Sequence, residues 1–460
     1  MLDLATAAQA IGARHIGANT VFDRVTTDSR ELRPGDLFVG IRGERFDGQV
    51  FADQALSAGA AAVMLEGGAK ILTPNARVLQ VDDTRLALGR LAAFWRARFV
   101  SPLIAITGSN GKTTVKEMLA LILRQVAGES GVLATVGNLN NDIGMPLTLL
   151  RLNAAHRYAV IEMGMNHPGE ISYLSSLARP TVALINNAGT AHIGELGSVD
   201  AIARAKAEIF EGLDNAGIAI LNSDDTFADY WRGLVLRRRM VDFGLVKQAA
   251  VSARYELAVF ASLVTFRTPE EEFVATLAIP GLHNIKNALA VVACAYALDI
   301  PSAAIAAGLA AYAGVKGRLQ RKRHVSGALV IDDTYNANPE SMKAAIAVLA
   351  AYSGRKFFVM GDMGELGTNA EAMHASIGEF AKRAGVHAMF ALGDMSAAAA
   401  RSFGAGARHF SSVDELVGAL SRGLEQESTV LVKGSRFMRM ERVVEALGAV
   451  NGESAMKGIA

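Results

Sequence analysis

Apolar residues recur along this chain in two rhythms, and the points where the rhythm changes divide it. In the first hundred residues, Leu37-Phe38-Val39-Gly40-Ile41 reads as a short strand and Ala52 to Gly59 as a helix. Ala61 to Leu65 reads as another strand, and Thr84 to Arg98 carries apolar residues at helical spacing. Val100-Ser101-Pro102 ends that helix, because a proline forces the preceding residue out of helical geometry. A boundary is predicted near residue 100.

From Leu103 the pattern alternates regularly. Predicted strands are Leu103 to Ile106, residues 132–136, Tyr158 to Met163, Thr181 to Asn186 and Gly217 to Leu221. Helices fall between them at Lys112 to Arg124, Gly169 to Ala178 and Val199 to Phe210. Alternating β and α elements imply a parallel sheet covered by helices on both faces. Residues 238–280 are richer in strand patterns (Ala258 to Arg267, Glu272 to Ile279) and predict an antiparallel annex ended by Pro280-Gly281. Two helices follow, His283 to Leu298 and Pro301 to Tyr312. After Gly314 a second parallel unit is predicted, with strands at Ala328 to Ile331, Lys356 to Met360, Ala388 to Leu392 and Thr429 to Val432. The expected fold class is α/β in three domains, residues 1–100, 101–313 and 314–460.

Composition narrows the function classes. The chain has 460 residues, 46 basic and 45 acidic, a net charge of +1 that gives no reason to expect nucleic acid as a partner. One cysteine, Cys294, excludes an intrachain disulfide framework and a multi-cysteine metal site, and its apolar helical surroundings make it a core residue. The start, Met1-Leu2-Asp3-Leu4, lacks the basic region of a signal peptide. The apolar run Ala288 to Leu298 is far shorter than the roughly 20 residues of a spanning helix. A soluble protein without an integral membrane segment is expected.

The strongest local signal is Thr107-Gly108-Ser109-Asn110-Gly111-Lys112-Thr113-Thr114, directly after one predicted strand and opening a helix. A helix N-terminus offers unpaired N–H donors and a positive dipole end to a triphosphate. Gly108 and Gly111 let the backbone approach closely, Lys112 can reach the β- and γ-phosphates, and the Thr113 hydroxyl can hold Mg²⁺. The loop is shorter than the usual Walker pattern, with two residues between Gly108 and Gly111 where that pattern has four. It makes the middle domain a P-loop ATPase unit and leaves the third a Rossmann-like α/β domain.

Other polar positions are ambiguous on pattern alone. Glu162 ends an apolar strand, where a parallel sheet opens its ligand crevice, and suits a Mg²⁺ ligand or a solvated strand-end charge. His192 follows a strand, and position alone favours a structural histidine. Lys206 lies mid-helix and reads as an exposed lysine paired with a nearby acid. Asn138, Asn140, Asn141 and Asp142 form a glycine-flanked loop or an ordinary Asx turn.

Taken together, these segments resemble the Mur ligase family, most closely its branch that adds D-alanyl-D-alanine. The resemblance runs in order from about residue 26 to 445. Besides the phosphate loop it is carried by Gly137 to Asn141, Ile161-Glu162-Met163-Gly164, Ala191-His192, Ala205-Lys206-Ala207-Glu208, Asn222 to Asp225 and Gly281 to Asn287. Gly317-Arg318, Asp332-Asp333-Thr334-Tyr335-Asn336-Ala337-Asn338-Pro339 and Val432-Lys433-Gly434-Ser435-Arg436 complete it. The Asp-Asn-Pro-Arg motif of the branch that adds meso-diaminopimelate is absent.

The resemblance implies roles. Lys112, Glu162, His192 and Lys206 would be catalytic. Thr113 and Glu162 would hold one Mg²⁺, and His192 with Lys206, carbamylated by CO₂, a second. Residues 108–114 would cradle the phosphates of ATP, with Ser109, Asn110 and Thr114 among them. Asn284 and Asn287 would contact adenine, and Arg318 the ribose or phosphates. Asp333, Tyr335 and Asn336 would approach nucleotide and incoming amine. Lys433 and Arg436 would meet anionic groups or stand as solvated loop charges. Ser29, Arg30, Asp47, Asn138, Asn140, Asn141 and Asn338 would bind substrate, although Gln49 stands where the family often has histidine. The expected reaction joins D-alanyl-D-alanine to UDP-N-acetylmuramoyl-tripeptide through an acyl phosphate, in a cytoplasmic monomer. Two alternatives stay open: another Mur-type or folylpolyglutamate synthase-like ligase, and an ATP-driven switch or binding protein.

Overall fold

The structure is a computed structural model that describes residues 1–43 and 46–451. The run Leu103–Thr107 is buried on both faces, as a central strand of a parallel sheet must be. It sits inside a six-stranded sheet ordered Arg239–Phe243, Ile218–Asn222, Val182–Ile185, Leu103–Thr107, Tyr158–Glu162, Val132–Ala134. All five pairings are parallel. Alternate residues serve two cores. Ile104 and Ile106 pack with helices Lys112–Ala127 and Leu282–Ala297. Leu103 and Ala105 belong instead to a core shared with the first hundred residues.

Those first residues form a five-stranded sheet ordered Arg14–Ile16, Val78–Val81, Ala62–Glu66, Asp36–Val39, Arg24–Thr26, parallel except for its first pairing. Helix Thr84–Arg96, capped by the Asp83 carboxylate, which accepts from the Arg85 and Leu86 N–H groups, leads from it to the central sheet. Residues beyond 319 build a seven-stranded sheet ordered Ala407–Phe410, Ala388–Leu392, Lys356–Gly361, Thr429–Lys433, Leu329–Asp333, Gln320–Arg323, Val450–Asn451.

Two sequence expectations need correction. Arg239–Phe243 does not open the antiparallel annex; it extends the central sheet in parallel. The annex is a three-stranded meander, Ser252–Leu257, Ser262–Arg267 and Glu272–Leu277. The third unit is mixed, because Gln320–Arg323 pairs antiparallel with both Leu329–Asp333 and Val450–Asn451. The charged string Gln320-Arg321-Lys322-Arg323 has no apolar alternation to announce it as a strand. Cys294 is fully buried, and burial pushes its thiol well above the ordinary range, as a core cysteine requires.

Candidate active site

The chain turns from strand Leu103–Thr107 into helix Lys112–Ala127 through Gly111, whose φ of +81° only glycine adopts freely. A Cβ there would also collide with the amides of Asn287 and Asn186. No side chain caps this helix, so its first N–H groups are left for a ligand. The loop is held from beside by the end of strand Val182–Ile185. Asn110 N–H donates to Asn187 Oδ1 (2.8 Å), and Asn186 and Asn187 both donate side-chain N–H to Asn110 O (2.9 and 3.0 Å).

Lys112 Nζ folds back onto Gly108 O at 2.6 Å. Burial lowers its pKa, opposed by the nearby Glu162 carboxylate. Glu162, 2 % exposed, accepts from the Thr113 hydroxyl (2.9 Å) and from Asn140 Nδ2 (2.7 Å). A buried carboxylate and a hydroxyl at the mouth of a phosphate loop form the hard oxygen set that Mg²⁺ takes. Lys206 is 1 % exposed, which overturns the exposed-helix reading. Among the described residues no carboxylate lies within ion-pair range of it. Burial first, then repulsion from Lys112, drives its pKa well below that of a free lysine.

His192 stands at the head of a short helix with φ of +66°, and its Nδ1 lies 2.7 Å from a Glu365 carboxylate oxygen. The Glu365 pKa is lowered chiefly by His192 and further by Lys112.

The third sheet closes over this floor. Arg318 Nη2 donates to the Thr113 hydroxyl at 2.9 Å, and its guanidinium lies 4.2 Å from the centre of the Tyr335 ring. Asn338 caps helix Pro339–Ala350 with its oxygen and donates its N–H to Asn110 Oδ1 (2.8 Å). Lys433 is buried rather than solvated, 2.7 Å from Asp333 and donating to Asn336 O. Arg436 is exposed and pairs with Glu441 at 3.0 Å.

Two cavities flank the phosphate loop and share Asn110, Gly111, Arg318, Asp333 and Lys433. One, of about 370 Å³, is lined by Asn284, Asn287, His283, Ile279 and Tyr312, amides on an apolar floor suited to a purine. Burial presses the His283 imidazole down to about 4 and the Tyr312 phenol up to about 12. The other, of about 610 Å³, is lined by Lys112, Thr113, Glu162, His192, Asn138, Asn140, Asn141, Tyr335, Asn336, Asn338, Glu365 and Arg436.

Most sequence-derived candidates therefore converge. Ser29, Arg30 and Asp47 stand apart in the first unit and line neither cavity. Arg30 folds onto Asp28 at 2.6 Å, Asp47 caps the turn at Gly48–Phe51, and buried Gln49 accepts from Glu66 N–H at 3.0 Å. Lys206 borders the site without lining either cavity. Sequence reasoning passed over Asn186, Asn187, His283, Glu340 and Glu365. Glu365 follows strand Lys356–Gly361 at its carboxyl end, the same rule that found Glu162.

Comparison with known proteins now has a site to explain. Residues 21–96 match the Mur ligase family catalytic domain, 106–295 the Mur ligase middle domain, and 317–436 the Mur ligase glutamate ligase domain. The chain is 43 % identical over 435 residues to the UDP-N-acetylmuramoyl-tripeptide–D-alanyl-D-alanine ligase of Escherichia coli, covering 94 % of this chain and 95 % of that one. The chain belongs to the Mur ligase family. The Haemophilus influenzae ligase of the same name is 39 % identical and covers 97 % of this Mur ligase and 99 % of its own length. A crystal structure of MurF from Acinetobacter baumannii superposes with a TM-score of 0.89 at 37 % identity, covering 96 % of this chain and 98 % of that one. MurF ligase from Thermotoga maritima, solved in complex with ADP, gives 0.82 at 28 % identity, covering 92 % and 96 %.

Proposed function

We propose that this Mur ligase joins D-alanyl-D-alanine to UDP-N-acetylmuramoyl-tripeptide at the expense of ATP, forming the pentapeptide precursor of peptidoglycan. The observation that carries the reading is the phosphate loop, with Lys112 and the Glu162–Thr113 pair, standing between two cavities. The amide-lined cavity suits adenine, so the γ-phosphate would point toward the other, where a carboxylate and an amine could meet. The 43 % identity to a ligase of that name over nearly the whole length favours this acceptor over a sister ligase.

In the proposed reaction the terminal carboxylate of the tripeptide attacks the γ-phosphorus of ATP, and ADP leaves. Lys112 opposes the charge that builds on the transferring phosphoryl oxygens, and backbone N–H groups at the helix start hold them in place. The amine of D-alanyl-D-alanine then adds to the acyl phosphate carbonyl. The tetrahedral intermediate expels phosphate, the nitrogen loses its proton, and an amide remains. Water would consume the acyl phosphate, so the cover formed by Arg318, Tyr335 and Asn338 has a chemical purpose.

Thr113 and Glu162 would hold one Mg²⁺, and His192 with a carbamylated Lys206 a second; bound there, the ions supply positive charge opposite the phosphate oxygens. Burial of Lys206 without a partner acid favours its neutral amine, the form that adds to CO₂. We assign the uridine nucleotide to residues 1–100 through Ser29, Arg30 and Asp47, ATP to 101–313, and the incoming dipeptide to 314–460. The reading places the enzyme in the cytoplasm, and a monomer suffices for it, since one chain carries all three parts. Phosphate release measured with each substrate omitted in turn tests it. Release that needs both the tripeptide and D-alanyl-D-alanine is expected, and amine-independent release would point to the switch or binding protein instead.

A further inference from the structure

The loop that carries His192 is gripped by the third sheet unit on either side of His192, whose own Nδ1 lies 2.7 Å from the Glu365 carboxylate. Glu340, on the first turn of helix Pro339–Ala350, accepts from the Thr190 amide at 3.1 Å and from its hydroxyl at 2.7 Å. Four residues further on, Gly194 N–H donates to the Glu365 carbonyl at 2.9 Å. A third tie fixes the loop to the phosphate loop: Gly189 N–H donates to the Ser109 hydroxyl (2.8 Å), which donates back to Gly189 O. His192 lies between the two outer grips in left-handed geometry, which a non-glycine residue holds only when its surroundings over-determine it.

Glu340 also borders the nucleotide cavity, but its own hydrogen bonds go to Thr190. Its helix is already capped by Asn338 with a reciprocal bond from Ser341, so the carboxylate is not needed there. Both of its oxygens cross the interface to one residue, Thr190, two positions before His192.

We propose that Glu340 is a positioning residue: by clasping Thr190 it sets the 189–194 loop, and through it His192, when the third unit closes over the phosphate loop. What His192 does for the reaction rests on the ligase reading; the clasp itself does not. The device would make the catalytic arrangement complete only in the closed enzyme, so that acyl phosphate is not formed while water has access.

The test uses the full chain with Mg²⁺ and a non-hydrolysable ATP analogue, in wild type, Glu340→Ala, Glu340→Gln, Thr190→Val and the double variant Glu340→Ala/Thr190→Val. Amide exchange at Gly194 reads the clasp directly, because its own acceptor, the Glu365 carbonyl, is untouched by every substitution. Ligand-dependent protection of Gly194 is expected in wild type and should fall by about tenfold or more in Glu340→Ala. In the same variant kcat should fall about 10- to 100-fold while the calorimetric affinity for the analogue changes less than about threefold. Glu340→Gln, which still accepts from the Thr190 amide, should recover part of the loss. Thr190→Val should show an intermediate loss, and the double variant no more than Glu340→Ala. Wild-type-like protection of Gly194 in Glu340→Ala, or single effects that multiply in the double variant, would overturn the proposal. Affinity for the analogue that falls in step with kcat would do so too. Thr190→Val carries the same criteria if Glu340→Ala does not fold. Wild type that releases phosphate without an amine would sink the ligase reading and leave the exchange result standing.

Discussion

Helix Thr84–Arg96 joins the first unit to the central one through Leu88, Leu91 and Ala92, which share one apolar core with Met145, Leu149 and Leu177. Around it Trp95 Nε1 donates to Leu152 O and Arg96 Nε to Ala178 O. The third unit meets the central one at the phosphate loop by polar contacts, Arg318 on Thr113, Asn338 on Asn110, Glu340 on Thr190 and Glu365 beside His192, and at the annex by an apolar contact, where half-exposed Phe260 meets Tyr352. Separating an apolar seam exposes surface at about 25 cal/mol per Å². Polar contacts exchange for water at a net cost near 1 kcal/mol each. The first joint is therefore built to stay shut and the second to open. The link between central and third units agrees, with Gly314 and Gly317 both at positive φ and no helix or strand from Tyr312 to Leu319.

The comparison separates chemistry from stability, and substitutions can break it. The largest effect is expected at the floor of the movable joint. Lys112→Ala should lower ADP formation by about three powers of ten or more while the melting temperature stays within a few degrees. Near wild-type turnover in that variant would reject the site. Next comes the fixed joint: Leu91→Ala should cost about 2–5 kcal/mol of unfolding free energy, read by denaturant titration, since Leu91 is fully buried. If that variant lost activity with no loss of stability, the first joint would not be the rigid one.

A smaller effect is expected at the hinge. Gly317 has φ of +72°, and a Cβ there would meet the Tyr335 backbone nitrogen at 3.3 Å. Gly317→Ala adds strain of about 1–2 kcal/mol to the closed arrangement. Turnover should fall about tenfold, with the unfolding midpoint of the central unit unchanged. An unaltered rate would show that this residue does not set the closed form.

The two joints also differ in how far the sequence announced them. Period-3.6 apolar spacing in Thr84–Arg96 marked the helix of the fixed joint, and the strand–glycine–lysine run marked the floor of the movable one. Glu162 was legible because a carboxylate at the end of an apolar strand is unusual. Glu340 was not, because it gains meaning only from Thr190, about 150 residues away in the chain, and Glu365 was missed although it follows the carboxyl end of a strand, because it lies in the loop beyond that end. Lys206 shows the opposite failure. Its helix pattern reads as solvent-facing, and only tertiary packing buries it. The charged strand Gln320–Arg323 was hidden for the same reason, since its place between Leu329–Asp333 and Val450–Asn451 comes from pairing and not from its own residues.

The finest test of the comparison is acid. His283 sits on the central helix Leu282–Ala297 and faces the third unit's Asp333 and Lys433 across the nucleotide cavity. Burial holds its imidazole down to about 4 from an ordinary 6.5, with Lys433 adding repulsion and Asp333 opposing. The unfolded chain takes up this proton near 6.5 and the closed form not until about 4, so between those values acid favours any state that frees the ring. The contribution is whole above 6.5 and is lost as pH falls toward 4, by about 3 kcal/mol. Opening the polar joint frees His283; His156, beside the apolar joint, is also lowered by burial but stays part-exposed there and answers acid less. Acid should therefore loosen the third unit before the first, visible as faster amide exchange at Gly194 between pH 6.5 and 4.5 after correction for intrinsic rates. His283→Gln should flatten that difference against wild type. An equal slope in the variant would assign the acid sensitivity to other groups and leave the two joints indistinguishable by charge.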